Sequence, residues 1–237
     1  MALGEYLGAG SGITKGLWHF NNAATDSSGN ALTLTLTAGA TYDRLSRLGS
    51  YALAMAAATD NASIADSAPT RFSTALTFSL WWNGTVPVAG STKGFISKWA
   101  TAGNNRGYQW IMNNTAGVQT IGLNLSPDGK ASANDSFAWT MSPALSSSTW
   151  YHLVVVWDGT SKIPHLYVNG VLQTDPVAGT VASIFATTAS FNINASGAAN
   201  SGLIGKYDEV IIENVTHTAQ WVKQQYTAQL GRQGLGA

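Results

Sequence analysis

The 237-residue chain is 45% hydrophobic but only 10% charged, and its twelve basic residues are balanced by twelve acidic ones. Lys and Arg are scattered singly, without the clustered cations that a duplex-binding face needs, so nucleic acid is not an expected partner. Cysteine is absent, which removes disulfides and thiolate metal sites, and the apolar runs fall well short of the roughly 20 residues that cross a bilayer.

In chain order, residues 1–14 read as a Gly-rich arm without the basic start and apolar core of a secretory signal. Short runs rich in Val, Ile, Thr and aromatics, separated by Gly, Asn, Asp and Ser, then predict strands at 16–20, 31–37, 50–56, 61–65, 75–83, 94–99, 107–113, 118–125, 136–140, 150–157, 163–168, 190–194, 202–205 and 207–213. Only 218–226 has a helical pattern, and 227–237 reads as a flexible tail. The expected organisation is therefore an arm (1–14), one all-β domain (15–226) and a tail (227–237). The period supports strands. Leu76, Phe78, Leu80 and Trp82 share one face, which should lie between two sheets, while Thr77, Ser79, Trp81 and Asn83 share the other.

Several stretches carry more than propensity. Trp150–Gly159 runs from a Trp–Tyr–His opening to an Asp–Gly turn, and Ile163–Gly170 closes on Tyr–Val–Asn–Gly. Gly16–Phe20 with the turn Asp26–Asn30, Leu76–Trp82, Gly205–Ile212 and the segment Thr218–Tyr226 follow in a consistent order. Together they resemble the laminin-G-like branch of the concanavalin A-like lectin/glucanase jelly rolls. That resemblance implies a two-sheet antiparallel jelly-roll sandwich with one short C-terminal helix. It places Trp81 on a concave outward face and implies one structural calcium, with Asp208 as its aspartate ligand. Asp26 is a second calcium candidate, although an Asp at such a turn is equally explained by bonds to its own backbone.

Catalytic chemistry is poorly represented. Glu occurs only at positions 5, 209 and 213, and Glu209 and Glu213 lie too far apart along a strand for a retaining carboxylate pair. The Glu-x-Asp-x-x-Glu arrangement of the glucanase branch is missing, and Asp208 and Glu209 should point to opposite faces. No Gly-x-Ser-x-Gly elbow occurs. His152 and His165, on neighbouring predicted strands, read as hydrogen-bonded strand residues. The expectation is a protein that is not an enzyme.

Binding is better represented. Nine tryptophans are available for the core or for stacking on sugar rings. Trp18, Trp82, Trp150 and Trp157 read as core. Trp81, Trp99, Tyr108, Trp110 and Trp139, with Asn104 and Arg106, form the candidate glycan set. Low charge and Gly-rich arms point first to a non-catalytic module on a phage or virus particle, as a capsid decoration or tail-associated protein at the virion surface. Its partners would be viral structural proteins and further copies of itself. The alternative is an extracellular carbohydrate-binding, lectin-like module recognising cell-surface glycans.

Overall fold

The computed structural model describes residues 12–197 and 201–231. Its strands are, in chain order, β1 (Thr14–Trp18), β2 (Thr35–Thr37), β3 (Thr41–Asp43), β4 (Ala52–Met55), β5 (Asn61–Ile64), β6 (Ala75–Gly84), β7 (Ser91–Ala100), β8 (Asn105–Thr115), β9 (Val118–Leu125), β10 (Asp135–Thr140), β11 (Tyr151–Asp158), β12 (His165–Val168), β13 (Val171–Leu172), β14 (Phe191–Ile193) and β15 (Gly205–Glu213). One α-helix, α1 (Ala219–Leu230), follows. They form the two-sheet antiparallel jelly-roll sandwich expected from the sequence. One sheet runs β13-β12-β11-β6-β15-β4-β3, with β1 also paired to β15, and the other runs β10-β9-β8-β7-β14-β5-β2.

Alternation decides which side chains meet between the sheets. Leu76, Phe78, Leu80 and Trp82 of β6 enter the main core, as do Tyr108, Trp110 and Met112 of β8 and Phe137 and Trp139 of β10. Phe78 lies 5.2–5.4 Å from the rings of Tyr108 and Phe72, an edge-on or tilted arrangement that suits aromatic quadrupoles. Trp18, Trp82 and Trp157 are core residues as expected, whereas Trp150 is half-buried at the mouth of β11.

Three expectations are corrected. The predicted strand 202–205 reduces to one parallel bridge, Gly202 to Gly94, because strand pairing with β4 and β6 starts only at Gly205. The arm and tail boundaries move outward. Thr14 opens β1 and bonds Glu213, and residues 227–230 complete α1, where Gln229 is buried. Finally, Asp208 and Glu209 do not take opposite faces. A bulge between Asp208 and Ile211, with Glu209 at φ 48°, turns both Tyr207 and Val210 into the core and leaves the two carboxylates outside it.

The outer faces of the two sheets differ. On the eight-stranded sheet, α1 seals Val154, Val156 and Tyr167 under Val222. The helix starts cleanly, since Thr218 Oγ1 accepts the Trp221 N–H and His217 stacks on the Trp221 ring at 3.6 Å. No helix covers the outer face of the seven-stranded sheet among the described residues.

Candidate functional site

The seven candidate glycan residues separate into three places. Tyr108, Trp110 and Trp139 point between the sheets and are at most 2% exposed. Their parity with Met112 and Phe137 requires this, and it removes them from any surface. Trp81 does stand on the outward side of its sheet, yet it is equally buried. Its indole N–H donates to Gln229 of α1, its ring stacks on Tyr226 at 5.8 Å, and the Arg47 guanidinium lies 4.2 Å above it. Trp99, Arg106 and Asn104 remain together at one end of the seven-stranded sheet. The Arg106 guanidinium lies 6.0 Å from the Trp99 ring and donates to the Gly129 carbonyl (3.2 Å) and to Asn104 Oδ1 (3.5 Å).

Beneath α1, polar side chains are buried among aromatic rings. His152 is fully buried beside the rings of Trp81 and Tyr226, its Nε2 lies 3.0 Å from Ser79 Oγ, and its Nδ1 has no partner. Burial first, and the Arg47 charge second, push its imidazole down to about 3. It does not meet His165, which lies opposite Val156 in β11 and pairs with Asp175 at 2.9 Å. The two strand glutamates are also tied down, Glu209 by His19 and Glu213 by Thr14 and His217.

Neither aspartate fits the calcium implied by the resemblance. Asp208 is buried, and its oxygens accept the N–H groups of Arg47 (2.7 Å), Leu48 (2.8 Å) and Glu209 (2.9 Å). Burial, then the neighbouring Glu209 charge, push this carboxyl up to about 8 against those bonds. A calcium ion needs a shell of oxygens, and here donors occupy the positions where oxygens would be required. Asp26 likewise accepts the N–H groups of Leu17, Ser28 and Leu32, which staples its turn to β1. Among the described residues no group of three or more His, Asp and Glu is placed to hold a metal. Thermal unfolding should therefore show the same midpoint in calcium and in chelator, because a ligand that does not bind the native state adds no stability. A midpoint raised by calcium would show that the native state binds it.

The open surface is the outer side of β8, β9 and β10. Register places Gln109, Asn124 and Ser136 in one row across the three strands, Ile111, Gly122 and Ala138 in the next, and Asn113, Thr120 and Thr140 in the third. These positions alternate with the core residues Tyr108, Trp110, Ile121, Leu123, Phe137 and Trp139, so they point away from the core. The middle row is apolar, with Ala138 exposed and Ile111 and Gly122 buried beside it. Gly122 fits tightly there, since a Cβ would come within 3.1 Å of both the Ile111 side chain and the Phe137 carbonyl. The outer rows are amides and hydroxyls. Among the described residues none of these six side chains hydrogen-bonds to the rest of the protein, and all are at least partly exposed. One boundary is a ridge over β7, where the backbone of Ala195 and Ser196 occupies the space of a Gly94 side chain (2.1 Å) and Gly197 packs on Trp99. Ser97, between Gly94 and Trp99, is fully buried.

This surface carries no aromatic platform, and the alternation of β8 and β10 in the sequence already separates its polar rows from Trp110 and Trp139. A family model of laminin-G type, described as the concanavalin A-like lectin/glucanases superfamily, matches residues 56–223. The chain belongs to this superfamily. Solved structures of similar shape support the fold. The binding domain of Paraclostridial Mosquitocidal Protein 1 superposes with a TM-score of 0.69 at 14% identity, covering 92% of this chain and 52% of that one. Domain 4 of AbnA, a GH43 extracellular arabinanase from Geobacillus stearothermophilus solved with arabinotriose, gives 0.60 at 17% identity, covering 90% of this chain and 97% of that one. The botulinum neurotoxin serotype D ligand binding domain, solved with N-acetylneuraminic acid, gives 0.67 at 12% identity, covering 92% and 50%. This chain thus spans about half the length of the toxin domains it matches. No curated protein matches the sequence. Fold membership leaves the activity to be argued from the site.

Proposed function

We propose that this chain is a non-catalytic carbohydrate-binding module whose ligand lies on the outer face of β8, β9 and β10. One observation carries the reading: two rows of amides and hydroxyls with unused hydrogen-bonding capacity flank an apolar row in which Ala138 is exposed. A sugar ring has the complementary chemistry, a C–H face for the apolar row and hydroxyls around its edge for the polar ones. That arabinotriose and N-acetylneuraminic acid accompany two of the similar structures supports a glycan as ligand class. The rim cluster of Trp99, Arg106 and Asn104 adjoins the Gln109 end of β8 and marks one limit of the surface.

Calorimetric titration with a panel of oligosaccharides tests this. Replacing both Gln109 and Asn124 by Ala removes two to four ligand hydrogen bonds of about 0.5–1.5 kcal/mol each, so binding should weaken roughly tenfold or more. Because neither side chain bonds to the protein itself, the unfolding midpoint should not move. Binding that survives the double variant unchanged would move the site elsewhere, and silence across the panel would remove the proposal. No feature of the described residues favours the particle-surface role over glycan binding. Of the arms on which that role rests, 1–14 and 227–237, residues 1–11 and 232–237 lie outside the described residues.

A further inference from the structure

We infer that the ligand is a neutral oligosaccharide several rings long, and that the surface discriminates against sialylated and uronic sugars; this rests on the carbohydrate-binding reading. Its first support is the absence of charge. No floor position in the three rows on β8, β9 and β10 is ionisable. A carboxylate brought onto such a surface loses part of its water without gaining a cation, which disfavours it against a neutral sugar.

The cations near the floor are committed or oppositely matched. Arg106 is engaged by the Gly129 carbonyl, Asn104 and the Trp99 ring. Lys93 pairs across β7–β8 with Met112, a core residue, and therefore points away from the floor. Lys98 is fully buried on Asp66 and the Ala189 carbonyl. The turn joining β9 to β10 adds Lys130 and Asp128, one charge of each sign, and Asp135 is turned inward onto Thr180 and Val181. No positive field faces the apolar row.

The second support is size. The apolar row crosses three strands, about 10 Å at the usual spacing, and its flanking rows are four residues apart along β8, about 14 Å. A single ring would leave part of both rows unpaired, whereas a short chain laid across the strands presents successive rings to successive strands.

The test is a titration of neutral pentose and hexose oligosaccharides of increasing length beside sialylated and uronic oligosaccharides, at low and high salt, on the wild type and on Arg106→Gln. Expected are at least tenfold tighter binding of neutral chains, affinity that rises from mono- to trisaccharide, and little change with salt or with Arg106→Gln. Acidic sugars that bind as well or better, and that are lost in high salt or in Arg106→Gln, would overturn the inference while leaving the module a carbohydrate binder. A monosaccharide that binds as tightly as its trisaccharide would overturn the size argument. No binding by either class would overturn this inference and the carbohydrate reading together.

Discussion

A chain ending at His217 should lose most of its folding stability and expose tryptophan to solvent. The helix α1 is the lid of a second core, separate from the one between the sheets. Val222 is fully buried there with Val154, Val156 and Tyr167, and Tyr226 and Gln229 hold Trp81, itself 2% exposed. Each fully buried aliphatic or aromatic side chain contributes roughly 1.5–3 kcal/mol, so removing the lid should cost about 5 kcal/mol or more. Total stabilities of about 5–15 kcal/mol leave little after such a loss. The damage is also polar, because Arg47 and His152 would lose the ring that shields them. Urea unfolding and tryptophan fluorescence would show the effect. The point variant Val222→Asp, which buries an unpaired charge in an otherwise complete chain, should reproduce most of it. An unchanged unfolding midpoint in both proteins would show that the helix only rests on the sheet.

The same region shows where sequence reasoning stopped. Leu76, Phe78, Leu80 and Trp82 announce their face by parity, and the parity holds because a sheet buried on one side enforces period two. The outward side of that strand gave no comparable signal. By sequence alone Trp81 reads as a sugar platform, and what buries it is Gln229 and Tyr226, nearly 150 residues downstream on a helix whose last turn has a tail-like sequence. Lys98 is a similar case. A lysine near the end of a strand ordinarily lies in water, and its burial depends on Asp66, which is distant in sequence and is itself held near 2, chiefly by its bond to Arg71. Local pattern cannot report such pairings. The bulge that places Asp208 against the 47–48 backbone was hidden for the same reason, since Asp–Glu–Val alternates normally in sequence. The candidate site failed to register for another reason: Gln109, Asn124 and Ser136 form no motif, and become a row only when three strands come into register.

Acid should weaken the fold through His152, and the sign follows from its burial. The imidazole is held down to about 3 in the folded chain against an ordinary 6.5, so between those values the unfolded chain binds the extra proton. Its contribution is complete above pH 6.5 and is lost as pH falls toward 3, by roughly 5 kcal/mol at the limit and about 3 kcal/mol by pH 4.5. The groups around it sharpen the effect. Arg47 is the neighbouring cation, Ser79 Oγ is the single hydrogen-bond partner of the ring, and the rings of Trp81 and Tyr226 pack beside it. Asp208 acts in the opposite direction over part of this range. Its folded value is raised to about 8 from 3.8, so its contribution is complete below 3.8 and is lost as pH rises through 8. The wild-type curve therefore superposes two opposed slopes, and the informative quantity is a difference. His152→Gln keeps a hydrogen-bonding partner for Ser79 but does not titrate. Comparing urea midpoints at pH 7 and pH 4.5, the wild type should lose about 3 kcal/mol more than this variant on acidification. Equal losses in the two proteins would mean that the buried cluster under α1 opens to water before His152 is protonated, and that the helix rather than the imidazole governs the acid response.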